Sequence, residues 1–135
     1  MSVVPAASGP LAGVVVAELG LRGAETVVFV HGGGIAGWSW RPQLPAFGDY
    51  HCLVPDLPGH GRSLGAGVCT VERGAEVVAE LIRTCATGSK AHVVGLSLGG
   101  QIAVQLLATL PEVVESAVIS GTNVHPVGWA GARRR

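Results

Sequence analysis

The stretch Gly95-Leu96-Ser97-Leu98-Gly99 decides the fold of this chain, and it follows directly on the apolar run Ala91-His92-Val93-Val94. A serine between two glycines after such a run is typical of a nucleophile elbow. In an elbow a strand ends, the chain turns sharply at the serine, and a helix begins. The flanking positions favour glycine because larger side chains would collide at the turn. The pattern therefore predicts a reactive serine, Ser97, in a strand-turn-helix unit.

On both sides of this motif, short apolar runs rich in valine alternate with stretches that suit helices. We expect strands over residues 13–19, 26–31, 52–55, 90–95 and 115–120, and helices over residues 70–87 and 98–110. The run 26–31 is continuously apolar, which indicates a parallel strand buried on both faces. Thr70 suits the N-cap of the first helix, and Pro111 ends the second. The alternation predicts a single α/β domain with a mostly parallel central sheet and flanking helices.

Composition narrows the classes of function. Hydrophobic residues make up 48% of the 135 residues and charged residues 13%, with a formal net charge of zero, so we expect a folded protein that does not bind nucleic acid. No apolar run is long enough to span a bilayer, so we expect no membrane partner. Residues 1–10 have no basic residue before their apolar stretch and contain Pro5, Gly9 and Pro10, which predicts no signal peptide and a cytoplasmic location.

The three cysteines, Cys52, Cys69 and Cys85, are widely spaced and lack any CxxC pair. This spacing supports neither a disulfide framework nor a zinc site. We expect small thiols that fill the core. We expect no metal and no cofactor.

Two further motifs precede the elbow. His31-Gly32-Gly33-Gly34 closes the buried strand and opens a loop, and consecutive glycines can turn backbone N–H groups toward a developing oxyanion. Asp56-Leu57-Pro58-Gly59-His60-Gly61-Arg62-Ser63 forms a compact turn after the next strand. The helix that follows Ser97 would present the N–H of Leu98 to the same oxyanion. The three motifs together predict acyl-transfer chemistry at Ser97.

In this order and spacing, HGGG, DLPGHGRS and GLSLGG resemble the α/β-hydrolase superfamily over about residues 14–121. The resemblance implies that Ser97 is the nucleophile and that the backbone N–H groups of Gly33 and Leu98 form the oxyanion hole. It also implies that Trp38 belongs to the helix after the oxyanion loop. Asp56 and His60 would shape a loop instead of taking part in the reaction.

The resemblance implies an esterase-like hydrolase that acts on a small ester, amide or related acyl substrate through a covalent acyl-serine. The sequence differs from the family at the residues that would activate the serine, because the family places an acid and then a histidine after it. Here the later acids are Glu112 and Glu115, neither well placed, and the later histidine is His125, either a general base or a residue of a surface loop.

The four earlier histidines have other expected roles. His31 would buttress the oxyanion loop, His51 and His92 would be structural or surface residues of strands, and His60 would be a turn residue. Asp56 remains an alternative triad acid, since unrelated folds assemble the same triad in different chain orders.

We therefore expect one partial domain over residues 1–135 that resembles the N-terminal half of the family and is truncated after the strand at 115–120. Residues 122–135 would be an irregular tail or the start of a lid region. The strand at 115–120 would leave an apolar sheet edge, to be covered by a second copy or a partner chain.

Two alternatives stay open at this point. The chain could be a catalytically inert hydrolase fragment or a binding domain, because no convincing acid and base follow Ser97. It could also be a dinucleotide-binding domain, because Gly32, Gly34 and Gly37 spell G-x-G-x-x-G after a buried strand and Asp56 lies 19 residues beyond Gly37. Pro42 and Pro45 oppose the second alternative, since they fall where its long helix would run.

Overall fold

The computed structural model describes residues 2–4 and 9–122, and within them the chain forms one six-stranded sheet. The strands are β1 (Ser2–Val4), β2 (Val16–Gly20), β3 (Thr26–Val30), β4 (His51–Pro55), β5 (Ala91–Leu96) and β6 (Val114–Ser120). Their order across the sheet is β1-β2-β4-β3-β5-β6. In this order β4, β3, β5 and β6 are parallel to one another, whereas the pairs β1–β2 and β2–β4 are antiparallel. The predicted mostly parallel α/β sheet is confirmed.

Two helices cover one face of the sheet. They are α1 (Val71–Cys85) and α2 (Leu98–Thr109). As predicted, Thr70 caps α1, and its side chain accepts a hydrogen bond of 3.0 Å from the N–H of Arg73. The helices pack on a core of valine, leucine and isoleucine that includes Val28, Val30, Leu81 and Ile102. This core fixes the position of α2, which carries the elbow at its first turn.

The opposite face carries a smaller cluster built around Phe29. Its partners come from two short 3-10 helices, Gly37–Trp40 and Leu44–Phe47, so the prolines at 42 and 45 do interrupt any long helix in this region. The ring of Phe29 lies 5.3 Å from that of Trp40 and 5.1 Å from that of Phe47. The two faces are thus covered very differently, and α-helices lie on one of them alone among the described residues.

The N-terminal strands differ from the expectation. The predicted strand 13–19 begins only at Val16, because Gly13 adopts a φ of +77° in the turn that precedes it. Strand β1 was not predicted, since a three-residue strand next to proline and alanine carries no periodic signal.

At the other edge of the sheet, β6 is confirmed and pairs, within the described residues, with β5 alone. Val118 is 60% exposed and Ile119 is 39% exposed on this strand.

No helix in the described part of the chain combines the length and the apolarity needed to cross a membrane. The three cysteines are free thiols, of which Cys52 is buried and Cys69 and Cys85 are partly buried.

Candidate active site

Ser97 occupies the turn between β5 and α2, where its backbone has a φ of +56° and a ψ of −112°. Non-glycine residues rarely adopt a positive φ, and such strain persists only where the surroundings impose it. The side chain of Ser97 is exposed, above the carboxyl end of β5. The structure therefore holds this exposed serine in a sharp turn.

The glycines on either side of Ser97 are sterically required. A Cβ atom on Gly95 would overlap the carbonyl oxygen of Gly99 and lie 2.8 Å from the nitrogen of Gly100. A Cβ atom on Gly99 would overlap the carbonyl oxygen of Val30 and lie 2.8 Å from that of His31. Because these neighbours are backbone atoms, they cannot rotate away. The pattern of glycines is thus what lets α2 start so close to β3 and β5.

The backbone of Ser97 is held by residues from the end of β6. Its N–H donates to the carbonyl oxygen of Ser120 at 2.9 Å. Its own carbonyl oxygen accepts from the hydroxyl of Thr122 at 3.0 Å and from the N–H of Gln101 at 3.0 Å. The N–H of Ser97 is therefore occupied. The next N–H, that of Leu98, belongs to the first turn of α2, where N–H groups have no partner within the helix.

The glycine loop lies directly against this elbow. A Cβ atom on Gly32 would be 3.4 Å from the Cβ atom of Ser97, and one on Gly33 would be 3.8 Å from Cδ2 of Leu98. Gly33 is exposed, as is Ser97. The structure thus brings together the three residues that the sequence singled out: Ser97, Gly33 and Leu98.

His31 is fully buried beneath this loop, and both of its ring nitrogens have partners. Nε2 accepts a hydrogen bond of 2.9 Å from the N–H of Leu57, so Nδ1 carries the proton that is donated to the carbonyl oxygen of Gly32 at 2.7 Å. Burial is the main cause that lowers the pKa of His31 from its ordinary value of 6.5. His31 is therefore a neutral bridge between two loops, and its nitrogens are not free to act as a base.

The bond from His31 also orients the peptide between Gly32 and Gly33. In a trans peptide the carbonyl and the following N–H point in opposite directions. Because the carbonyl of Gly32 points toward the His31 ring, the N–H of Gly33 points away from it. This arrangement leaves that N–H available to a ligand.

Asp56 and His60 shape the second loop. The carboxylate of Asp56 is buried, and it accepts from the N–H of Gly37 at 2.8 Å, from the N–H of Arg62 at 2.9 Å and from Nε of Arg62 at 3.3 Å. Nδ1 of His60 donates to the carbonyl oxygen of Pro58 at 2.9 Å, and the ring lies 5.1 Å from that of His31. These bonds tie the turn to the segment that follows the glycine loop, and they use the carboxylate of Asp56 for structure.

Three residues that hold the elbow and the loops in place were not predicted from the sequence. Ser120 and Thr122 lie beyond the motifs, and nothing in their spacing links them to the elbow. Ser63 is fully buried, and its hydroxyl accepts from the N–H of Val15 at 2.8 Å. Its place at the end of the DLPGHGRS turn was the available signal, since a buried hydroxyl needs a partner.

The remaining histidines and acids lie in other contacts. His51 bonds to Thr26 and Glu18, and His92 bonds to Ser116 and Glu25, so both are structural as expected. The carboxylate of Glu112 lies 3.6 Å from Arg83, beyond the far end of α2, and Glu115 is exposed near the start of β6. Within residues 9–122, no imidazole or carboxylate is hydrogen-bonded to the hydroxyl of Ser97. His125 lies outside the described residues.

The dinucleotide alternative fails on the local structure. The G-x-G-x-x-G stretch leads into the four-residue 3-10 helix Gly37–Trp40 and not into a long helix whose N-terminus could meet a pyrophosphate. The carboxylate of Asp56, which would bind the ribose, is buried in loop hydrogen bonds. We therefore reject that interpretation.

Comparison with known proteins gives the same fold. A family model described as the alpha/beta hydrolase fold matches residues 25–130. An AB hydrolase superfamily protein of Gibberella zeae is 38% identical over 104 residues, which cover 76% of this chain and 37% of that protein. An esterase of Mycobacterium tuberculosis is 37% identical over 98 residues, which cover 71% of this chain and 32% of the esterase.

A solved structure of another Mycobacterium tuberculosis protein superimposes with a TM-score of 0.76 at 33% identity, covering 88% of this chain and 43% of that one. The chain thus spans less than half the length of each of these relatives.

Proposed function

The chain belongs to the α/β-hydrolase superfamily, and from that premise we propose that it hydrolyses a small ester, amide or related acyl compound through a covalent acyl intermediate on Ser97. The observation that carries the proposal is the juxtaposition of the strained, exposed Ser97 with two backbone donors, the N–H groups of Gly33 and Leu98. The similarity to a mycobacterial esterase supports the substrate class.

In the proposed reaction, the hydroxyl oxygen of Ser97 attacks the acyl carbon while its proton passes to a general base. The carbonyl oxygen becomes an oxyanion that the N–H groups of Gly33 and Leu98 stabilise. Loss of one such donor typically lowers kcat by about 10²–10³. The leaving alcohol or amine takes the proton, and water then releases the acid and regenerates Ser97.

The roles of the surrounding residues follow from their contacts. His31 would keep the peptide of Gly33 in the orientation that binds the oxyanion, and the N–H of Ser97 would be excluded because Ser120 occupies it. The general base is assigned to a residue outside residues 9–122, and His125 is a candidate. A second candidate function, an inert hydrolase domain that binds acyl compounds or partners, is favoured by the lack of a hydrogen-bonded base at Ser97 within the described residues.

A fluorophosphonate probe tests the proposal on the 135-residue chain, with intact-mass measurement as the readout. We expect one probe molecule per chain in the parent and none in Ser97→Ala. The matched control is Ser89→Ala, because Ser89 is also exposed and also has a positive φ, of 57°. The control should label like the parent. If the folded parent is not labelled, the hydrolase proposal is wrong and the inert binding domain replaces it.

A further inference from the structure

A second concave site lies away from the elbow, on the face of the sheet opposite α1 and α2. Its volume is about 400 Å³, within the range of small-molecule pockets. The floor is formed by Ala17 and Leu19 of β2 and by Val54 of β4, and one wall by the segment that contains Trp38 and Leu44. Ser97 and the glycines at 32–34 are not among its lining residues. The cavity is therefore distinct from the candidate active site.

The surface of this cavity is mainly apolar, and its most prominent apolar group is exposed. The indole of Trp38 is 60% exposed although its neighbour Trp40 is nearly buried against Phe29. Leu19 and Leu44 also line an adjoining apolar hollow that extends toward Phe47 and so lengthens the groove. An elongated apolar groove suits an aliphatic chain better than a compact polar ligand.

Two arginines and one aspartate line this cavity. Asp56 and Arg62 both line it, but they pair with each other at 3.3 Å, and the carboxylate is further satisfied by two backbone N–H groups. Arg41 also lines the cavity, is exposed, and has neither a hydrogen bond nor an ion pair from its side chain within the described residues. One guanidinium therefore lines both hollows of the apolar groove without a counter-ion among the described residues.

We propose that this groove binds an amphipathic carboxylate, with the aliphatic chain on Leu19, Leu44 and Val54, and the carboxylate on the guanidinium of Arg41. A guanidinium matches a carboxylate in charge and in planar geometry. Burial of the aliphatic chain against the apolar floor removes apolar surface from water, which favours binding. The same geometry disfavours an aliphatic ammonium, whose charge would face Arg41.

Binding of octanoate to the 135-residue chain tests the site, with calorimetry and tryptophan fluorescence as readouts. Octanoate should bind saturably, and Arg41→Gln should weaken it by about tenfold, the ratio expected for loss of a charge-assisted hydrogen bond. The matched control is Arg83→Gln, which alters a partly exposed arginine on α1 that already pairs with Glu80 and Glu112. That control should bind octanoate like the parent.

Two further comparisons separate this site from other sources of binding. Octylammonium and 1-octanol, which share the aliphatic chain, should each bind at least about tenfold more weakly than octanoate. Ser97→Ala should bind octanoate unchanged, whether or not Ser97 reacts with the fluorophosphonate probe. The proposal is overturned if octanoate does not bind, if octylammonium or octanol binds equally well, if Arg41→Gln has no effect, or if Ser97→Ala abolishes binding.

Discussion

Replacement of Gly99 by alanine tests whether the close approach of α2 to β3 is a requirement of the fold. The new methyl group would overlap the carbonyl oxygen of Val30 and would lie 2.6 Å from the carbonyl carbon of Val30 and 2.8 Å from the oxygen of His31. Ordinary contact begins at 3.4 Å, so the strand and the helix would have to separate by more than an ångström to relieve the contact with the oxygen of Val30. Neither backbone can yield by rotating a side chain.

Insertion of one methyl group into a packed interior typically costs about 1–3 kcal/mol. We expect a value near the upper end, about 3 kcal/mol, because three backbone atoms are involved and α2 is anchored on the main core. For a domain of this size, each kcal/mol lowers Tm by about 4 °C. The melting temperature of Gly99→Ala should therefore fall by about 12 °C.

Thermal unfolding followed by far-ultraviolet circular dichroism measures this effect. The matched control is Gly65→Ala, since a Cβ atom there would meet no atom within 4 Å and the residue has no positive φ. The control should melt within a few degrees of the parent, and the smaller entropy of its unfolded chain favours a slightly higher Tm. The steric reasoning is refuted if Gly99→Ala melts like the parent, or if both variants lose the same stability.

Two further predictions concern the buried groups beneath the loops. Since burial lowers the pKa of His31, the unfolded chain binds a proton near pH 6.5 that the folded chain does not, so stability is complete above that pH and is lost as the pH falls below it. Urea unfolding at about pH 7.5 and about pH 5.5 should show a smaller acid-induced loss in His31→Gln than in the parent, and equal losses would contradict the assignment. Asp56→Ala should lower the free energy of unfolding by about 3 kcal/mol, because it leaves the N–H groups of Gly37 and Arg62 without their acceptor. The exposed Asp49→Ala should change stability by less than about 0.5 kcal/mol, and similar losses in the two variants would show that these hydrogen bonds do not matter.

The sequence predicted the architecture well where its signal is local. The continuous apolar run of β3, the cap at Thr70 and the glycines around Ser97 each report a requirement set by their immediate surroundings. The start of β2 was placed too early because a glycine in a turn and a glycine in a strand look alike in sequence. Pairwise spacing also gives no information on contacts between distant segments, such as those of Ser120 and Thr122 with Ser97.

In the candidate site, too, the residues with a local sequence signal were predicted and the contacts between distant segments were not. The three motifs indicated Ser97, Gly33 and Leu98, and the structure places these residues together. The role of His31 as a neutral bridge depends on Leu57, which is 26 residues away, and only the packing of the two loops reveals it. The cavity beside Arg41 was not predicted, because the motif residues that line it, Asp56, Gly61 and Arg62, indicate a turn and do not indicate a cavity with strand β2.

The anchoring of Ser97 by the end of β6 has a consequence for the order of folding. The elbow turn joins β5 to α2 and looks local, yet its backbone is fixed by Ser120 and by Thr122, the latter 25 residues further along. Contacts between segments distant in sequence form slowly, because the entropy cost of closing the loop between them must be met first. During synthesis β5 and α2 therefore emerge before the residues that impose the strained φ of Ser97. We therefore expect the strained turn at Ser97 to form late in folding, once the last described strand has joined the sheet.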